Sequence, residues 1–349
     1  MTQTLESTPP RLPDDALPPV EPPSAGFILQ LFVVPAVIVA IVVAIWLMFN
    51  WLAHMGDNPE SYVHALKREN AARWQAAVNL ANALRRSGSP LRSDSRLAAQ
   101  LSQVLHDELT APRKGDEADV RVRVYLCRAL GEFNVPTGLP TLLTAATQNR
   151  GESDVPVRAS ALEGISLLAS GAAGEEVRAS PDVLPAVVAC SRDDDTAIRS
   201  RAAFALGVLG GEEAIERLDQ LLHDPYPDVR YNAATGLARH GDARAVDVLA
   251  EMLDPQRVQL SEEKNDEVAK GYKRPIIQQN ALRAAEKLAK ANSTSDLGAL
   301  RAAAERLAGS DVDRDIRAYA EQVAHELARR TVNANKESAF RPPAAASQE

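Results

Sequence analysis

The chain has 349 residues, room for two ordinary domains or one repeat array; 45% are apolar and only 4% aromatic. Frequent alanine with so little side-chain bulk suits closely packed helices better than a β-sandwich. A formal net charge of −8 argues against general nucleic-acid binding, and two cysteines, Cys127 and Cys190, with no Cys/His cluster at metal spacing, argue against a disulfide framework.

Residues 1–26 are proline-rich, and a single Arg11 stands against Glu6, Asp14, Asp15 and Glu21. Such a tail has few apolar groups to bury, so it is expected to be disordered or polyproline-like. Residues 27–53 carry no charge, and Leu31 to Phe49 is wholly apolar. About 20 helical residues cross a hydrocarbon core of roughly 30 Å, so this stretch predicts a single transmembrane helix. Trp46 and Trp51 fall near its far end, where indoles favour the interface, and Pro35 near its entry. A cleaved signal peptide fits poorly: the run is too long and the preceding region is acidic. Basic residues gather after the span, beginning with Lys67, Arg68 and Arg73, which places the rest of the chain in the cytoplasm and the acidic tail outside. Ala36, Ala40 and Ala44 lie four apart on one face, a spacing that lets two membrane helices pack.

Beyond the span, Asn58-Pro59-Glu60 reads as a helix start, and Arg85-Arg86 with Gly88 as a stop. The helical pattern between them has a break near Glu69-Asn70. Lys67, Arg68, Arg73, Arg85 and Arg86 are the candidate contacts to anionic lipid headgroups, with a topology signal on a solvated helix face as the plainer reading. In residues 94–110, Leu97, Leu101, Val104, Leu105 and Leu109 share one helical face.

A template then recurs: an aliphatic residue, Arg, and small or apolar residues three, four and seven positions after the Arg. Val229-Arg230 with Ala233, Ala234 and Leu237 is the clearest copy. Arg73, Arg123, Arg158, Arg199, Gln278 and Arg317 anchor the others, the last interrupted by Glu321. Those offsets put one helical face against a core. Seven anchors spaced 31 to 50 residues apart predict an all-α chain, an α-solenoid of about seven helix pairs over residues 54–330. The Args are expected to pair with acids or carbonyls of a neighbouring unit. Asp119, Asp154 and Asp195, each four residues before an Arg, are expected helix caps. Residues 254–275 lengthen one connection, and 331–349 read as a disordered tail.

"DPYPDVRYNAATGLARHGDARAVDVLAEML" and "DTAIRSRAAFALGVLGGEEAIERLDQLL" resemble HEAT repeats of the phycobilisome-lyase-like type. The resemblance implies stacked antiparallel helix pairs that serve as protein-interaction surfaces; a minority of such chains act as bilin lyases. No catalytic, cofactor-binding or metal-ligating residue is assigned. None of the six histidines forms an HExxH motif, and Gly207–Gly211 lacks the lysine and serine of a phosphate loop. The reading is a membrane-anchored, single-pass scaffold that binds a protein partner along its helical surface, with Arg201, Tyr231, Asn232 and Arg239 as candidate exposed contacts. Two alternatives stay open: a chromophore-handling enzyme, and a structural array that self-associates through the span.

Overall fold

The computed structural model describes residues 24–54, 59–68, 73–111, 117–260, 267–292 and 295–339. The chain divides into two units, Met1–Asn58 and Pro59–Glu349, five residues later than the boundary expected at 54. Among the described residues the first holds one helix, α1 (Ala25–His54). Ser24 starts it: both its carbonyl and its hydroxyl accept from the Phe27 amide, at 2.9 and 3.2 Å. The helix begins two residues earlier than expected and ends one later, with Pro35 inside it. Within it, Leu29–Asn50 has a mean hydropathy of 3.0 and no buried side chain. By length and composition it is the one helix, among the described residues, able to cross a membrane. The acidic tail lies outside the described residues up to 23.

The second unit is built from helices alone; no strand occurs among its described residues. After α2 (Pro59–Leu66), two layers alternate. The first layer is α3 (Arg73–Arg85), α5 (Glu117–Gly131), α7 (Val155–Ser170), α10 (Thr196–Leu209), α12 (Pro227–Arg239), α14 (Glu267–Ala291) and α16 (Arg314–Ala339), each packed on the next. The second is α4 (Ser95–Thr110), α6 (Leu139–Thr147), α9 (Val183–Cys190), α11 (Glu212–Leu221), α13 (Val246–Leu253) and α15 (Gly298–Ala308), with a short α8 (Gly174–Ala179) leading into α9. All seven anchors fall on first-layer helices. Six are followed by a second helix; α16 closes the described array as a single long helix, so seven first helices make six pairs.

The template positions form the core. Val122, Leu126, Cys127, Ile198, Ala202, Ala203, Leu206, Val229, Ala233, Ala234 and Leu237 are all fully buried. Each unit exposes this face alone and buries it only against its neighbours, as a solenoid requires. Glu321, where the last copy breaks, is exposed. Between α10 and α11 the chain reverses through Gly210 and Gly211, at φ of 71° and 89°, a backbone region L side chains avoid.

Four expectations change. The 254–275 connection is shorter than expected, because α14 already begins at Glu267 and contains Pro275. The C-terminal helix runs to Ala339, so 331–339 is helical; 340–349 lies outside the described residues. Of the three expected caps only Asp195 acts as one, accepting from the amides of Ala197 and Ile198 at 2.8 and 3.3 Å. Asp195 has extended backbone, which points its carboxylate at those amides. Asp154 is helical at φ −89°, ψ −15° after a short 3₁₀ turn, and it caps nothing. Asp119 lies inside the first turn of α5.

Candidate functional site

Three of the anchoring Args tie one unit to the next. Arg123 reaches Asp154 at 3.3 Å, Arg158 reaches Asp193 at 2.5 Å, and Arg199 reaches Asp224 at 2.9 Å. Each of these acids stands in the turn before the following first helix. Arg73 pairs with Glu108, and Arg230 with Glu251 at 3.1 Å. The guanidinium groups also close carbonyls: Arg158 Nε donates to Ala146 O at 3.0 Å, and Arg199 to Asp193 O and Asp194 O. This ladder stops at Gln278, which is neutral and buried.

One rung gives a pH dependence. Burial pushes the Asp193 carboxyl up, but hydrogen bonds from Arg158 and the Asp195 amide, with the Arg158 and Arg199 charges, more than offset it and hold it below its ordinary 3.8. A depressed folded value contributes stability that is complete above the ordinary value and is lost as pH falls through the folded one. The melting temperature by circular dichroism is therefore expected to drop below about pH 4, and Asp193→Asn to flatten that drop. An acid limb unchanged by Asp193→Asn would remove this rung from the explanation.

With their anchors turned inward, α10, α12 and α14 each hold another stripe on the opposite side, at offsets two, five and nine from the anchor. On α10 it holds Arg201 and Phe204, on α12 Asn232, Thr235 and Arg239, on α14 Asn280, Arg283 and Lys287. Side chains of these three helices line one open groove of about 1020 Å³. Among the described residues of the array, the large apolar side chains left exposed are Phe204, Tyr226 and Ile276. The first two line the groove, and Ile276 precedes Ile277, which does too. Apolar side chains that are exposed and clustered, instead of scattered, mark a contact surface. Arg239 lies over the Phe204 ring at 5.8 Å, and burial lowers its pKa.

The family described as HEAT repeats matches residues 183–263, the stretch from α9 to beyond α13. The fold is that of a HEAT-like solenoid. No curated protein matches the chain. Among solved structures, the complex of CpcE and CpcF of phycocyanin lyase from Nostoc sp. PCC7120 is 18% identical, covers 77% of this chain and 94% of that one, and superposes with a TM-score of 0.46. The archaeal HEAT-like repeats protein from Thermococcus onnurineus NA1 is 15% identical, with 73% and 97% covered and a TM-score of 0.42. Neither likeness carries an activity to this chain.

The HEAT-like array brings the four expected contact residues to the same groove, but not all of them to its surface. Arg201 is exposed. Asn232 is partly buried and donates to the carbonyl and hydroxyl of Ser200 at 3.2 and 2.9 Å. Tyr231 is buried, which corrects its reading as an exposed contact. Its hydroxyl donates to Glu251 at 2.8 Å and accepts from the Gln259 amide at 2.8 Å, because the chain after α13 folds back over it. Among the headgroup candidates, Lys67 and Arg68 are exposed, Arg85 reaches Glu132 at 3.2 Å and Arg86 is exposed. Arg73 is corrected: its side chain is 14% exposed and turned into the array against Glu108 and Asp119. Phe204, Arg283 and Lys287 escaped sequence reading, although the offsets that place Asn232 and Arg239 find them as well. Among the described residues no group of three or more His, Cys, Asp or Glu could hold a metal. Cys127 is buried, which pushes its thiol up to about 12, and burial raises Cys190 as well, so neither is poised as a nucleophile.

Proposed function

We propose that this chain is a membrane-anchored scaffold whose HEAT-like array binds a protein partner in the groove across α10, α12 and α14. One observation carries the reading: of the three large apolar side chains exposed among the described residues of the array, two, Phe204 and Tyr226, line that groove. Helix α1 supplies the anchor, supported by its apolar length. Held at a bilayer, the groove meets a membrane-bound partner at raised effective concentration. Orientation follows from the basic residues after the span, which favour the cytoplasmic side, with Lys67, Arg68, Arg85 and Arg86 as headgroup contacts. The alanine face of α1, Ala36, Ala40 and Ala44, is the surface for pairing of spans. Binding here needs no covalent step, only shape and charge complementarity.

The test places a photo-crosslinking amino acid at Arg201 or Arg283 in the groove, and at Glu213 on α11 in the other layer. Irradiation of intact cells is followed by a carbonate wash of the membranes. The expected result is adducts to another protein from the two groove positions, retained in the membrane pellet, and none from Glu213. Equal labelling from all three positions, or adducts only between copies of the chain, would overturn the reading.

A further inference from the structure

The groove's charge singles out its occupant. The whole chain is acidic, at −8, yet the outward stripe of α10, α12 and α14 holds Arg201, Arg239, Arg283 and Lys287 with no carboxylate. This island has edges. On α7 the equivalent stripe carries Glu163, which neutralises Arg128 of α5 at 3.9 Å. On α16 it carries Glu326, paired with Arg330 at 3.4 Å. Asp195 and Asp228 also line the groove, at the N-terminal ends of their helices, away from Arg239 and Lys287, and Asp195 is occupied by the amides it caps. At the C-terminal ends the groove continues through Arg239 and Lys287 into a second cleft of about 360 Å³. Arg178 joins them there, donating to Ala169 O at 2.6 Å, and no carboxylate among the described residues lines this cleft. Half-buried Arg239 meets Phe204 but, among the described residues, no anion. A cation held partly out of water without a counter-charge is a ready partner for one.

Resting on the groove as the binding surface, we propose that its occupant is an acidic peptide segment of the partner. It crosses α10, α12 and α14 with an aromatic or aliphatic side chain against Phe204 and carboxylates on Arg201, Arg239, Arg283 and Lys287. Helix axes 8–10 Å apart make this path about 20 Å, roughly six extended residues.

The probe is a fluorescent peptide of about ten residues, longer than that path, alternating glutamate with leucine and phenylalanine. It is read by anisotropy against the full chain in phosphatidylcholine nanodiscs. The glutamate probe is expected to bind, more weakly as salt rises, while versions with lysine or glutamine in place of glutamate do not. Arg239→Gln with Lys287→Gln is expected to weaken binding at least tenfold and to flatten its salt dependence. Phe204→Ala, at a side chain 37% exposed, is expected to weaken it without loss of helicity, and Arg192→Gln, outside the groove, to leave it unchanged. Equal binding of the glutamine peptide, or an unaffected double variant, overturns the proposal. So does tighter binding of a peptide of residues 1–23, which would assign the groove to the chain's own acidic tail. Groove crosslinks in cells without binding of the glutamate probe would retain the scaffold and discard the acidic occupant; loss of the groove crosslinks would discard the scaffold itself.

Discussion

Replacing Asp154 with alanine is expected to lower the array's stability by about 3–5 kcal/mol, the usual consequence of stripping one member from a buried ion pair. Its carboxylate is 4% exposed and faces the Arg123 guanidinium, itself 6% exposed. It also accepts from the Arg150 amide at 3.0 Å and meets the Arg150 side chain at 3.5 Å. Without it, Arg123 keeps its bond to the Asp119 carbonyl at 3.3 Å but stays buried with an uncompensated charge. Joint replacement, Arg123→Met with Asp154→Leu, is expected to restore most of the loss, since a buried pair exchanged for packed apolar groups is often neutral. The exposed Arg244 gives the contrast. Its side chain is 41% exposed beside Asp219 at 2.9 Å, and Arg244→Gln is expected to cost no more than about 1 kcal/mol. Urea midpoints by circular dichroism on the full chain in detergent decide between these. An Asp154→Ala midpoint equal to that of Arg244→Gln would mean that the ladder does not hold the units together.

The buried stripe and the acids beside it were not equally legible in the sequence. The buried stripe was readable: anchors with small residues at three, four and seven gave all seven first helices, and the Args from Arg73 to Arg230 turn inward, whereas Arg317 on the last helix is exposed. A packed face has one periodicity, and burial enforces it. The acids before the Args were not readable in the same way. Asp119, Asp154 and Asp195 share one spacing, yet they end as an ion-pair partner within a helix, a bridge to the previous unit and a cap. The difference lies in local backbone, extended at Asp195 and helical at Asp154, which a spacing does not encode. The start of α14 was hidden because Glu267 to Arg274 mixes charges with few apolar residues, as solvated helices and linkers both do. The groove was half-legible. Arg201, Asn232 and Arg239 lie on its outward stripe, whereas Tyr231, one position off, is sealed by Glu251 and Gln259 from a distant connection. The net basic character of three consecutive helices emerges only when their stripes are aligned.

Gly207→Leu is expected to cost more than about 3 kcal/mol, beyond the usual range for overpacking, and to open the groove. A Cβ on Gly207 of α10 would lie 2.6 Å from the Gly236 Cα of α12. The obstacle is backbone, which no rotamer change relieves. A Cβ on Gly131 of α5 would meet the Gly164 Cα of α7 at the same 2.6 Å. Both contacts join offset eight of one unit to offset six of the next. Where the array places Ser166 and Ala205 at those offsets, both are buried, so a small side chain is tolerated at this crossing and a large one is not. Gly207→Ala therefore sets two terms against each other: a helix-propensity gain of up to about 1 kcal/mol and an overpacking cost of about 1–3 kcal/mol. The cost wins, for a net loss of about 1–2 kcal/mol. Gly171→Ala, at an exposed position whose Cβ would sit 3.4 Å from its nearest neighbour, is expected to stay within about 0.5 kcal/mol. The consequence reaches the groove, because Phe204 lies on α10 and Arg239 on α12. Forcing these helices apart takes the guanidinium off the ring, so Gly207→Leu is expected to lose glutamate-probe binding at temperatures where α5 and α7 remain folded. If Gly207→Leu melts and binds as the parent chain does, the close crossing of α10 and α12 neither limits the stack nor shapes the groove.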